Sequence, residues 1–261
     1  MASTTVEINA EVKTVPHIAG GVTTEHSDVM IMGDNGWQYV NTVSPNYQLV
    51  TNETAMGIAN EIMSNSEHVW SPVKTMWNGK RMSSFYKTQD AVAELPRVGD
   101  TIAMGLRVDN SYDGSSSFGY ALMAYVLSCT NGLVSDRLFG TFRMKHVGNS
   151  WDMDAAKETI IGGTQRLIEF APRIDVLGGH ELELSHVRAI GLNPAVGPTF
   201  LGGWLNELPK GDVDMWTACQ KGTSMLTKEM NDKGRFATVR RLEGFSESFM
   251  DIGHSLVSGL N

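Results

Sequence analysis

Asn78 and Gly79 constrain the fold of this chain more than any other pair of residues. They sit between VWSPVKTMW and KRMSSFYK, two runs rich in aromatic and β-branched residues. Asn-Gly is the preferred centre of a type I′ turn, because both of its positions need positive φ and these residues adopt it cheaply. The spacing predicts an antiparallel hairpin over Val69–Thr88. Pro72 cannot donate to a ladder, so the first run is either an edge strand or begins after it.

The remaining pattern extends from this hairpin in both directions. Residues 1–28 alternate only weakly, contain Pro16 and Gly20-Gly21, and read as a mobile N-terminal arm able to add a strand on assembly. Trp37–Val43 reads as a strand stopped by Ser44-Pro45, and Tyr47–Thr51 as a short extended piece. Asn52 is then expected to cap a helix running to about Ser64, with Ala55, Met56, Ile58, Ala59, Ile62 and Met63 on one broad apolar stripe. Beyond the hairpin, strands are expected over Thr101–Val108, Phe118–Ser128 and Leu138–Val147, joined by short connections.

From Ser150 the period becomes helical. Asp152 and Asp154 open a helix that Pro172 is expected to stop, with Gly162-Gly163 marking a kink or a close helix contact. Gly191–Gly203 reads as a Gly/Pro-rich connector. Val213–Asn231 reads as a helix, with acidic residues at its start as the macrodipole prefers, and one more helix lies within Arg235–Val257. Strands first and helices after make the fold class α+β. It comprises an N-terminal antiparallel β-meander with one early helix, and a helical C-terminal part packed on it. The expected divisions are the arm 1–28, a β-rich core 29–149, and a helical part 150–261 of the same domain.

Between two of the strands lies Arg107–Val134, RVDNSYDGSSSFGYALMAYVLSCTNGLV. Asp113-Gly114 is a strong turn signal, yet Asn110, Ser111, Tyr112, Asp113, Gly114 and Ser115 supply more polar chemistry than a tight turn needs. The side chains of this loop are expected to bond its own backbone and hold it rigid beside a binding surface. The order N-S-Y-D-G-S-S-S-F, an apolar run, then C-T-N-G-L resembles a phage- and plasmid-borne family of domain-of-unknown-function proteins. The typical form of that family is N-S-H-D-G-S, a strand, and V-C-x-N-x-L. Tyr47–Asn52 ahead of a helix fits the same family's early motif, and the resemblance spans roughly Trp37–Lys145. Tyr112 stands where the family usually has histidine, so a general-base role there does not carry over.

Bulk properties narrow the function. A chain of 261 residues, 41% hydrophobic and 19% charged, folds around a sizeable core. No run approaches the roughly 20 apolar residues that span a bilayer, and the N-terminus has no signal pattern. Cys129 and Cys219 lack metal-ligand spacing, so free thiols in a cytoplasm are expected, the host's if a phage encodes the chain. The net charge of −8 is uneven. Residues 1–73 carry one basic against eight acidic side chains, residues 74–145 nine against six, and residues 146–261 eleven against fifteen. The middle third alone is basic.

Candidate chemistry is sparse. His180 and His186, with Glu181 and Glu183 between them, are the only local cluster of metal-ligating types, and they lack the HExxH register. Ser115–Ser117 has no histidine nearby in sequence, Cys129 reads as a small buried hydrophobe, and no phosphate-cradling glycine loop occurs. No catalytic residue, metal or cofactor is expected. Nucleic-acid binding has better material: Trp77, Lys80, Arg81, Tyr86, Lys87, Arg107 and Arg143 combine cations for phosphates with aromatic faces for stacking. The competing reading puts the aromatics in the core and the charges in solvent. The expectation is a non-catalytic, homo-oligomeric phage-type protein of DNA metabolism that binds or anneals single-stranded DNA. Its order of elements is similar, at fold level only, to phage single-strand annealing proteins. The alternative is a non-catalytic oligomeric structural protein, or one directed at a host defence.

Overall fold

The computed structural model describes residues 7–126, 132–134, 140–144, 146, 158, 162–233 and 236–259. Cys129 and the helix start expected at Asp152 and Asp154 lie outside them. The chain is α+β, as its pattern predicts. Among the described residues ten strands come in order: β1 (Val12–Ala19), β2 (Val22–Gly33), β3 (Gly36–Val43), β4 (Trp70–Trp77), β5 (Arg81–Thr88), β6 (Ala93–Leu95), β7 (Asp100–Ser111), β8 (Phe118–Val126), β9 (Gly132–Val134) and β10 (Thr141–Met144). Helix α1 (Asn52–Ser64) falls between β3 and β4. After β10 come α2 (Gly163–Asp175), a 3-10 turn (Val176–Gly179), α3 (Leu184–Leu192), α4 (Pro198–Glu207), α5 (Met215–Lys233) and α6 (Phe236–Ser258).

Strands β1, β2 and β3 form one sheet in that order, and a second follows the order β10-β8-β7-β5-β4, with β6 added to β7 and β9 to β8. The second sheet is the expected meander. Strand β4 ends its path and carries Pro72 within it, and an edge strand is where a proline, with no N–H to donate, is tolerated. At its turn the Asn78 side chain accepts from the N–H groups of Lys80 (3.1 Å) and Arg81 (2.8 Å).

Contacts divide the chain into two compact units built from discontinuous segments: 1–86 with 107–120 and 141–159, and 87–106 with 121–140 and 160–261. In the first, Val29, Ile31, Val40 and Val43 make a buried cluster with Tyr112. The residues read as a mobile arm are therefore mostly strand. Val12–Pro16 pair in register with Ser27–Ile31, and Ser27–Gly33 with strand β3. The weak alternation of residues 12–28 reflects a hairpin exposed on both faces over much of its length.

In the second unit helices pack on that unit's strands and on one another. A Cβ at Gly163 would collide with the Leu122 side chain, so Gly163 marks a close approach of helix to strand rather than a kink. Phe200, Trp204, Phe245 and Phe249 form an aromatic cluster with ring centroids 5.1–6.0 Å apart. The buried Trp204 indole donates to the Ala218 carbonyl at 2.9 Å, as a buried N–H requires. Two expectations fail here. Pro172 lies inside α2, which runs on to Asp175. The stretch read as a Gly/Pro connector is largely helix, since Gly197 precedes Pro198 at the first position of α4, where a proline suits a helix start.

Candidate functional site

The over-equipped motif is the end of a strand followed by a short loop. Asn110 and Ser111, expected in the turn, are the last residues of β7 and are buried. The loop then holds itself. Ser111 Oγ donates to the Ser116 carbonyl (2.8 Å) and accepts from the Ser116 N–H (3.0 Å), while Asp113 Oδ1 accepts from the Ser115 N–H (2.9 Å). Gly114 adopts φ 72°, which a β-branched residue would resist.

Around this loop the first unit is drawn together by amides and hydroxyls. Asn110 Nδ2 donates to the Val50 carbonyl (3.0 Å) and to Asn52 Oδ1 (2.9 Å), and Asn52 Nδ2 donates to the Ile8 carbonyl (2.8 Å). The Tyr112 hydroxyl accepts from the Asn52 N–H at 2.8 Å. Asn52 is thus the first helical residue of α1 and a buried clamp. The cap is Thr51, extended at φ −76° and ψ 155°, whose side chain accepts from the Thr54 N–H. Asn41 Nδ2 donates to the Asp113 carbonyl (2.7 Å), and the Tyr47 hydroxyl to that of Ser111 (3.4 Å). Tyr47 stacks on His146 with centroids 5.1 Å apart. His146 Nδ1 donates to the Gln48 carbonyl (3.2 Å), and the Gln48 N–H donates to the His146 carbonyl (2.8 Å).

Burial sets the electrostatics of this cluster. It raises the Tyr112 hydroxyl to about 12, although the bond from the Asn52 N–H pulls it down. It raises Tyr47 further and pushes His146 below the usual histidine value. These groups are neutral at physiological pH.

The same loop supports the hairpin. The Tyr112 N–H donates to the Lys80 carbonyl at 2.7 Å, and the Tyr112 ring meets Trp77 edge to face at 5.9 Å. Lys80 and Arg143 are exposed, while Arg81, Tyr86 and Lys87 are half-buried. Trp77 is half-buried too, and part of its ring is taken up by packing on the cluster that contains Tyr112.

Arg107 is corrected outright. Its side chain is 2% exposed and its Nε bonds Asp109 Oδ2 at 2.8 Å, while Ser83 Oγ donates to the other carboxylate oxygen. A charge so placed must be paired inside the protein and is not open to a phosphate. Arg107 and Asp109 stand at i and i+2 on one strand, hence on one face; that spacing is the signal that could have revealed the pair. Ser83 and His146 were not singled out, and Asn52 only as a helix cap and part of a motif, because their partners lie 26–98 residues away in sequence. Among the described residues no group of three His, Cys, Asp or Glu is placed to hold a metal ion.

A family model described as "Domain of unknown function (DUF932)" matches residues 40–192, more than half of the chain. The match takes in the hairpin and the motif, and runs past the resemblance read from the sequence, through α2 and α3. No curated protein and no solved structure matches the chain.

Proposed function

This chain belongs to the DUF932 family, and within it we propose a non-catalytic protein of phage-type DNA metabolism that binds single-stranded DNA through the β4–β5 turn. The observation carrying this reading is the bond from the Tyr112 N–H to the Lys80 carbonyl. Through it the polar motif, anchored to α1 and to β3, braces the segment that presents Lys80 and Arg81. A preorganised cationic turn binds a phosphate backbone without the cost of ordering a mobile loop. Tyr86, half-buried on β5, offers a ring to stack on a base, and Arg143 on β10 adds an exposed cation. Motif side chains spent on backbone carbonyls and N–H groups are suited to bracing rather than to proton transfer, which favours binding over catalysis. Assembly into a homo-oligomer belongs to the same reading.

The test is a salt titration of binding to a labelled oligonucleotide. Each phosphate neutralised contributes about 0.7 to the slope of log affinity against log salt for a single strand. Replacing Lys80 and Arg81 by alanine together should weaken binding evenly across sequences and flatten that slope. Tyr86→Ala should cost roughly 1–3 kcal/mol of binding if a base stacks there. Wild-type protein that fails to retard the oligonucleotide at low salt removes the DNA reading and favours a structural or host-directed role.

A further inference from the structure

A cleft in the second unit plays no part in the reading above. One portion, about 580 Å3, lies between the start of α3 and the end of α6 and includes Glu181, Glu183, His186, Ile252 and Leu256 in its lining. A second portion, about 320 Å3, is lined by Ala189, Asn193, Ser248, Asp251, Ile252 and Ser255. The two share Ile252 and Ser255, so they form one groove. It follows α6 from Ser248 to Leu256, roughly 12 Å at the helical rise of 1.5 Å per residue.

Ile252 and Leu256 supply apolar surface, Glu181, Glu183 and Asp251 supply carboxylates, and His180 and His186 supply imidazoles; among the described residues no lysine or arginine lines either portion. Helix α3, which forms one wall, buries only Ile190 fully and leaves Leu184 70% and Leu192 83% exposed. Neither leucine lines the groove, so its apolar surface is that of Ile252 and Leu256. Carboxylates repel a nucleic acid. An apolar strip edged with negative charge complements an amphipathic helix edged with positive charge, and 12 Å accommodates about two turns of one.

We propose that this groove docks a short cationic amphipathic helix of a partner protein. The apolar residues of that helix lie on Ile252 and Leu256, and its lysines or arginines reach Glu181 and Asp251. The groove stands apart from the DNA reading and does not depend on it.

The probe is a labelled leucine–lysine peptide of about four turns with its leucines on one face, titrated by fluorescence anisotropy against the full chain. Glu181→Lys with Asp251→Lys should weaken binding by about tenfold or more. Glu53→Lys with Glu67→Lys, the same charge change on exposed residues that line neither portion of the groove, should leave it within about twofold, since every carboxylate of the groove stays in place. Equal loss from both pairs would mean general attraction to an acidic protein and would overturn the proposal. So would equal binding of a peptide of the same composition whose leucines are scattered around the helix. Amide exchange on wild-type protein needs no variant to fold: bound peptide should protect residues 181–193 and 248–256, and protection confined to other segments would also overturn the docking site.

Discussion

At the scale of single residues, the polar side chains of the first unit divide into those that hold the fold and those left to meet a ligand. Arg107 belongs to the first group. Arg107→Ala should leave Asp109 buried and unpaired and lower stability by about 3–5 kcal/mol, measured by urea denaturation with and without oligonucleotide. A variant of wild-type stability that binds DNA more weakly would return Arg107 to the interface. His146 makes a prediction in pH. Burial depresses its pKa against the raising effect of the bond to Gln48, so the native imidazole stays neutral where the unfolded one, near 6.5, takes a proton. The unfolded state then binds more protons, and this contribution to stability falls as pH drops through about 6.5 toward the depressed native value, below which it levels off. Urea midpoints across that window should decline with falling pH, and the decline should be shallower in His146→Gln. An unchanged slope in the variant would show that another group carries the effect.

At the scale of elements, close packing decides what local pattern leaves open. Pro172 removes one backbone donor from α2, yet the helix continues to Asp175. The tertiary contacts of that helix outweigh a local preference of about 3 kcal/mol against interior proline. One such contact is with α6: a Cβ at Gly253 would run into the Arg173 carbonyl. Gly253→Ala should therefore push the two helices apart and cost roughly 1–3 kcal/mol through overpacking, despite the better helix propensity of alanine. A thermal melt reads this directly, and a raised melting temperature would mean that the contact is not maintained in solution. The hairpin is the opposite case. Its turn is bonded by its own Asn78 side chain, and its boundaries follow from adjacent residues.

At the scale of the whole molecule, charge and surface set the expectations. No helix among the described residues is long and apolar enough to cross a membrane. Residues 1–28 were expected to pair with a neighbour; most of their strand pairing is instead made within their own sheet. The far end of that hairpin still leaves Ile18 63% and Val22 66% exposed, and a two-stranded hairpin by itself is marginal in water. Light scattering is expected to give a mass above the 28.5 kDa of one chain. A monomer at high concentration would count decisively against assembly.

The elements written in consecutive residues were legible from the sequence alone. These were the Asn-Gly hairpin, the strands flanking the motif, the last two helices to within two residues of their starts, and hence the α+β class. Each rests on side-chain period and turn chemistry, which act over a few residues. The motif was legible as an unusual loop, but its work was not. Only the tertiary structure brought Asn110 to Asn52, Tyr112 to Lys80, and Ser83 to the pair made by Arg107 and Asp109. The same folding turned Arg107 from an expected phosphate ligand into a buried partner and packed part of the Trp77 ring against the core. Whether a cation or a ring faces water depends on which distant strand covers it. That coverage is decided by the free energy of burying the whole sheet, a sum over residues far apart in sequence that no local pattern contains.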